Sequence, residues 1–275
     1  MVSWVVTGAT RGIGFGWIEN LSADARNQVF ALIRSRATAA PLESLAAKRK
    51  NIHIVEADLS DPESLKQAAA HVAEATGGSL DVLLLNHGAA AADTSSLLPT
   101  AFHGKEKELE HEISENIKVN LTTSIYVTNA FLHLIRKGTE KKIVFVSSSS
   151  GDIEFTRITG LSAVLGYSIA KAGLNMVATK FGAELAPEGI KTLSISPGWV
   201  NTEAAQAITG DPETRKFFLS IFHKLDANVD GPIPVAESVS AQLKVVQDLT
   251  EKDSGKFFTH RGDDILRSSG EAEWF

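Results

Sequence analysis

The sequence predicts a doubly wound α/β fold: one domain over residues 1–275, built on a mostly parallel seven-stranded sheet with helices on both faces. Three observations predict it. Short apolar runs alternate with helical patterns along the whole chain. Most of those runs are nearly continuous in Val, Ile and Leu, as strands covered on both faces must be. No linker, repeat or low-complexity tract interrupts the strand–helix rhythm, which is that of a parallel sheet wound in both directions.

The first strand is expected at Ser3–Thr7, almost at the start of the chain, and a helix near 12–23 follows a glycine turn. Gln28–Ile33 is the second strand, with a helix near 41–49, and Ile52–Ala57 the third. The next helix, 61–75, opens on Asp61-Pro62-Glu63, an N-cap followed by a proline whose fixed φ suits the first turn. Val82–Asn86 is the fourth strand, and one long helix is expected over 105–137. Lys142–Ser147 and Lys191–Ser196 flank a helix at 165–186, which Pro187 and Gly189 terminate. A helix at 236–250 and a short strand at Lys256–Thr259 complete the pattern. Three segments break the rhythm and read as insertions around the pocket: 89–113, 152–164, and a lid over 202–235 containing FFLSIF. The FFLSIF side chains have two readings, a cover over the active-site mouth or ordinary core.

Composition excludes several functions. A net charge of −6 with no basic block beyond AKRK at 47–50 argues against nucleic-acid binding. With no cysteine there is neither a disulfide nor a thiolate metal site. The longest apolar runs are too short to span a bilayer, and no positively charged leader precedes the first strand, so a cytoplasmic protein is expected. His103 and His111 have no metal-ligand context, and no metal is expected. The charges of GKEKELEHEISE at 104–115 read as a solvated helix face.

The chemistry begins at Thr7-Gly8-Ala9-Thr10-Arg11-Gly12-Ile13-Gly14. Glycines let backbone approach a ligand closely, and the helix that follows points free N–H groups at it; a pyrophosphate is the natural guest. Far downstream lies Tyr167-Ser168-Ile169-Ala170-Lys171, with phenol and ammonium on one helix face. TGATRGIG together with YSIAK resembles the short-chain dehydrogenase/reductase family over nearly the whole chain. The resemblance implies a Rossmann-type fold and a nicotinamide cofactor. It implies that Gly8, Thr10, Arg11, Gly12, Ile13 and Gly14 cradle the coenzyme, and that Asp58 and Leu59 touch the adenine. Asn86, His87 and Gly88 stand where the family carries Asn-Asn-Ala, so only the first position is kept. Pro197, Gly198, Val200 and Thr202 match the family's Pro-Gly turn at the nicotinamide. The tail EAEWF resembles the ending of C-factor-like carbonyl reductases, and the long 202–235 excursion is more similar to fungal ketoreductases acting on polyketides.

The second strand ends in Ala31-Leu32-Ile33-Arg34-Ser35-Arg36, a segment without the carboxylate that binds NAD ribose hydroxyls. Arg34, with Ser35 and with Arg11 as a second cation, suits a 2′-phosphate, so NADP(H) is the expected cofactor. A free phenol has a pKa near 10, and a neighbouring ammonium is expected to lower it enough for proton exchange at neutral pH. By the resemblance, Tyr167 is the general acid, and Lys171 also holds the nicotinamide ribose. Ser148 bonds the substrate carbonyl, with Ser149 as runner-up, and the backbone carbonyl of Asn120 holds a water behind the lysine. The expected function is NADPH-dependent reduction of a bulky, largely apolar ketone or aldehyde. The alternatives are a biosynthetic imine reductase, cyclase or dehydratase, or a non-catalytic NADP sensor. Small residues after Tyr167 permit close helix approach, and a homodimer or homotetramer is expected.

Overall fold

The computed structural model describes residues 1–89 and 94–263. Residues 90–93 of the first insertion and the EAEWF tail lie outside them. Seven strands form one sheet in the order β3-β2-β1-β4-β5-β6-β7. They are β1 (Ser3–Thr7), β2 (Gln28–Ile33), β3 (Ile52–Glu56), β4 (Val82–Leu85), β5 (Lys142–Val146), β6 (Lys191–Ser196) and β7 (Lys256–Thr259). Every pairing is parallel. The strand order reverses direction between β1 and β4, so a crevice opens beyond Thr7 and Leu85, where such sheets bind ligands.

Alternate residues of each strand feed opposite faces. On one face Val5, Phe30, Leu83 and Phe145 pack with α3 (Pro62–Thr76), α5 (Thr123–Ile135) and α7 (Leu165–Leu185) through Leu65, Val72, Phe131 and Leu174. On the other, Trp4, Val6, Ala31, Leu84 and Val144 pack with α1 (Gly12–Ser22), α2 (Ala40–Lys48) and α10 (Val235–Gln247) through Trp17, Leu21, Leu42 and Val239. Two dry layers explain why the strand runs are apolar throughout.

The helix expected over 105–137 is not continuous. It is α4 (Glu106–Ile117), a π turn over Lys118–Thr122, and α5. Three side chains compete with the backbone ladder there. Asn120 donates to the Asn116 carbonyl at 3.0 Å, Thr123 to Val119 at 2.6 Å and Ser124 to Asn120 at 3.0 Å. Such back-bonding to the residue four earlier loosens the helix and admits the wider turn.

Both excursions beyond β5 and β6 contain helices that apolar periodicity alone does not announce. Residues 152–164 hold α6 (Ile153–Thr159), capped by Asp152. Residues 202–235 hold α8 (Glu203–Thr209), capped by Thr202, and α9 (Pro212–Phe222), capped by Asp211. Asp211-Pro212-Glu213 repeats the start signal of α3 and was readable as such. The FFLSIF side chains differ in burial. Ile221 is buried and Phe222 packs on the small cluster of Phe155 and Leu161, while Phe217 is exposed.

Candidate active site

The crevice begins with the glycine turn. Gly8 and Gly12 have φ of +65° and +55°, a region that favours glycine. A Cβ on Gly14 would strike the Gly8 carbonyl, so the turn closes only without side chains. Asn86 clasps it, donating to the carbonyls of Thr7 at 3.3 Å and Gly8 at 3.4 Å. Arg11 occupies the N-cap position of α1 without a side-chain cap, so no side chain at that position covers the helix's first N–H groups. Across the cleft, the Thr202 methyl lies 3.5 Å from where a Gly12 Cβ would sit, and the Thr202 hydroxyl accepts from Ala205 N at 3.1 Å. A side-chain-free cradle facing an uncapped helix start fits a dinucleotide pyrophosphate.

The adenosine end differs from the sequence reading in one respect. The Ile33–Arg36 segment has no carboxylate of its own, but β3 brings one beside it. Glu56 accepts from the Arg36 backbone N–H at 3.1 Å and pairs with its guanidinium at 3.6 Å. The Arg36 guanidinium also meets Glu43 at 3.4 Å and the Ile54 carbonyl at 3.2 Å. Arg36 is therefore already paired, whereas Arg34 is exposed. The Asp58 carboxyl is held below its usual range by two hydrogen bonds from Ser60, with Arg34 assisting. The Ser35 hydroxyl accepts from Ala37 N at 3.2 Å. Arg11 meets Glu203 at 3.9 Å, both largely in solvent, a pair that contributes little to stability.

Deeper in the crevice, the ends of β4, β5 and β6 converge on α7. Lys171 is 3% exposed, and its ammonium donates to the Val146 carbonyl at 2.9 Å and lies 5.5 Å from the centre of the Tyr167 ring. The Ser148 hydroxyl hydrogen-bonds the Tyr167 phenol. Ser149 is engaged elsewhere, with Ser196 at 2.9 Å, and Ser147 donates to the Lys171 carbonyl at 3.3 Å. Asn120 is fully buried; its side chain clamps the backbone of Ala89 through both polar atoms, at 3.2 and 2.7 Å. A Cβ on Gly88 would lie 2.7 Å from the Asn120 Oδ1 and 3.4 Å from the Lys171 Nζ, so glycine lets these two side chains share a corner. The turn after β6 presents Gly198 at φ +83°, while the Pro197 carbonyl accepts from Ser238 at 2.6 Å. Val200 is buried and bridges to Ile233.

The model of the short chain dehydrogenase family matches residues 3–213. The chain belongs to that family. A short-chain dehydrogenase/reductase of Arthrinium sp, atnB, is 48% identical over 263 residues, spanning 96% of this chain and 98% of that one. Another, AacuF of Aspergillus aculeatus, is 35% identical over 264 residues, spanning 95% and 98%. The NADPH-bound carbonyl reductase from chicken fatty liver has the same fold, with a TM-score of 0.77 at 31% identity over 95% of this chain and 97% of that one.

Electrostatics of this short-chain dehydrogenase correct one expectation. In the protein alone the phenol's pKa is shifted up, not down. Burial pushes Tyr167 above its ordinary value, only partly offset by the Ser148 hydrogen bond. Burial also brings Lys171 down to about 8. Lys171 has left water almost entirely and Tyr167 in part, and the ammonium donates to the Val146 carbonyl.

His87, which replaces the family's second asparagine, has its ring committed to the protein. Nδ1 lies 2.8 Å from the Thr7 hydroxyl, and Nε2 lies 2.9 Å from Thr123 and 3.3 Å from Ser124. Thr123 and Ser124 already donate to backbone carbonyls, so they accept here; Nε2 carries the hydrogen and Nδ1 accepts from Thr7. Burial first, and the Lys171 charge second, depress the His87 pKa to about 3. Both ring nitrogens are thus engaged with protein hydroxyls. Sequence reasoning missed Glu112 and Asn116 altogether. The stretch 104–115 read as a solvated helix face includes Glu112, which is 2% exposed, and Asn116 and Asn120 follow it at four-residue spacing. That spacing was the available signal. Among the described residues no cluster of His, Asp or Glu suits a metal ion, and no helix is long and apolar enough to cross a membrane.

Proposed function

We propose that this oxidoreductase reduces the ketone or aldehyde of a bulky, largely apolar substrate with NADPH, Tyr167 acting as general acid. The observation that carries the reading is the convergence of Ser148 and Lys171 on one half-buried phenol. The substrate oxygen accepts from the Ser148 and Tyr167 hydroxyls, which fixes the carbonyl in place. NADPH, when bound, supplies the hydride that the carbonyl carbon receives. Tyr167 releases its proton to the oxygen as negative charge develops there, and Lys171 stabilises the phenolate left behind. A phenol whose pKa is raised remains protonated at neutral pH, which suits an acid for the reductive direction. The Asn120 backbone carbonyl faces its own helix turn, and we assign it the water that returns a proton toward Lys171.

Preference for NADPH rests on Arg34, exposed at the end of β2 beside Asp58, with Arg11 on the glycine turn as a second cation; Arg36 takes no part. The similar carbonyl reductase from chicken fatty liver, whose structure holds NADPH, supports the same choice. The apolar substrate class follows from Trp199 and Phe222, stacked 5.1 Å apart in the excursion after β6, and from Phe155 in the excursion after β5. Secondary metabolism is the setting we propose, given two fungal relatives across nearly the whole chain.

A panel of apolar ketones and aldehydes, assayed with NADPH and NADH in parallel, tests this reading. Turnover with NADPH should fall by at least about a thousandfold in Tyr167→Phe while NADPH still binds. Binding of NADPH without turnover of any carbonyl overturns the reductase reading, and equal use of both coenzymes overturns the role given to Arg34.

A further inference from the structure

The helix that carries Tyr167 and Lys171 starts badly. Its N-cap position is Val164, which has no side-chain oxygen to offer and sits at φ 56°, ψ 41°. A β-branched residue in the left-handed region is an outlier that surrounding structure must hold in place. The Val164 N–H donates to the Ser95 carbonyl at 2.7 Å, which anchors the residue but leaves the first turn of α7 without a local cap. The missing acceptor comes from α4. Glu112 Oε1 accepts from the Gly166 N–H at 3.0 Å, across 54 residues of sequence and one position before Tyr167.

This contact is built. Glu112 is 2% exposed, and its Oε2 is buried with no hydrogen-bond partner among the described residues. Gly166 has no room for a side chain: a Cβ there would lie 2.8 Å from the Glu112 Cγ, 3.0 Å from its carbonyl oxygen and 3.1 Å from the Asn116 Nδ2. The same stripe continues along α4 into the π turn. Asn116 donates to the Glu112 carbonyl at 2.9 Å and Asn120 to the Asn116 carbonyl at 3.0 Å. Asn120 then reaches the corner it shares with Lys171. One buried edge thus runs past both ends of the Tyr167–Lys171 turn: Glu112 bonds its start, and Asn120 lies near its finish. A carboxyl oxygen at a helix start is a favourable partner for the free N–H groups there.

We infer that Glu112 is a positioning residue for Tyr167: its buried carboxyl accepts the Gly166 N–H in place of a local N-cap and sets where the phenol meets the substrate carbonyl. The inference rests on the proposed reduction. A misplacement on the scale of an ångström costs up to about a hundredfold in rate, so the effect should appear in kcat rather than in coenzyme binding.

Glu112→Gln keeps a carbonyl oxygen for the Gly166 N–H; Glu112→Ala removes it. Two readouts are compared for each variant: kcat with NADPH and the best ketone, and hydrogen exchange of the Gly166 amide. For Glu112→Ala the expected result is about a tenfold or greater fall in kcat, NADPH affinity within about threefold of wild type, and faster exchange at Gly166. Glu112→Gln should restore slow exchange and most of the lost kcat. Wild-type kcat in Glu112→Ala overturns the inference, and so does unchanged exchange at Gly166. A glutamine variant as slow as the alanine one overturns it too, as does parallel loss of coenzyme binding, which would mark a general fold defect. A wild-type protein that binds NADPH but turns over no carbonyl overturns the proposed function, and this inference with it. An active wild type with indifferent Glu112 variants overturns this inference alone.

Discussion

Removing an ammonium from water costs more than one carbonyl oxygen returns, and Lys171 carries that imbalance with a pKa brought down to about 8. Two consequences follow with definite signs. Lysine in the unfolded chain keeps its proton to about pH 10.5, so between about 8 and 10.5 the unfolded state binds more protons than the folded one, and stability rises with pH across that window. Activity moves the opposite way, because a neutral lysine no longer supports a phenolate. The profile of kcat/KM for the coenzyme, which reports the free enzyme, should therefore fall above about pH 8. A profile flat to pH 10 would remove Lys171 from the proton balance. At this scale the sequence was informative about which residues meet and misleading about their energetics. The spacing of Tyr167 and Lys171 puts them on one face of a helix wherever that helix lies. The depth at which the face is buried depends on β4, β5 and β6 together, and no local pattern encodes it. The carboxylate Glu56, brought beside Arg36 by the pairing of β2 with β3, was hidden for the same reason.

The elements themselves were legible where one physical demand acts on a whole run. Two covered faces make a strand continuously apolar, and every expected strand is present to within a residue or so. The break at 118–122 was not legible, because it is produced by hydroxyl and amide groups that also occur in unbroken helices. His87 joins the end of β4 to this turn and to β1 through Thr7, Thr123 and Ser124, and it does so as a neutral ring. The unfolded chain releases a histidine proton near pH 6.5, but the folded protein holds off protonation to about 3, so the unfolded state binds more protons between those values. The stability that His87 contributes is present above about pH 6.5 and is lost as pH falls toward 3, on the order of a few kcal/mol over the full range. Urea titrations at pH 7 and pH 5 should show wild type losing more stability than His87→Asn. Equal losses would mean that the ring takes up its proton without disturbing the turn.

On the scale of the molecule, two excursions that leave the sheet at different strands pack on each other. Phe222 of α9 stacks on Trp199 at 5.1 Å with ring planes 12° apart, and lies 6.2 Å from Phe155 of α6. Lys224 donates to the Thr159 carbonyl at 2.6 Å, which ties the end of α9 to the end of α6. The cluster of Phe155, Leu161 and Ile221 is separate from the two layers that pack on the sheet. Truncating Phe222 should therefore loosen this cluster, which we propose as the pocket's cover, with little effect on the main core. A stacked aromatic contact contributes about 0.5–1.5 kcal/mol beyond its burial, and its loss would be confined to the 202–235 excursion. For Phe222→Ala the expected outcome is a KM for a bulky apolar ketone raised by about tenfold, kcat changed by less than about threefold, and faster proteolytic cleavage within 203–231. Small ketones that do not reach the cover should keep their KM. If large and small ketones lose affinity equally, the excursions pack for stability alone, and the substrate class must be decided by side chains closer to Ser148.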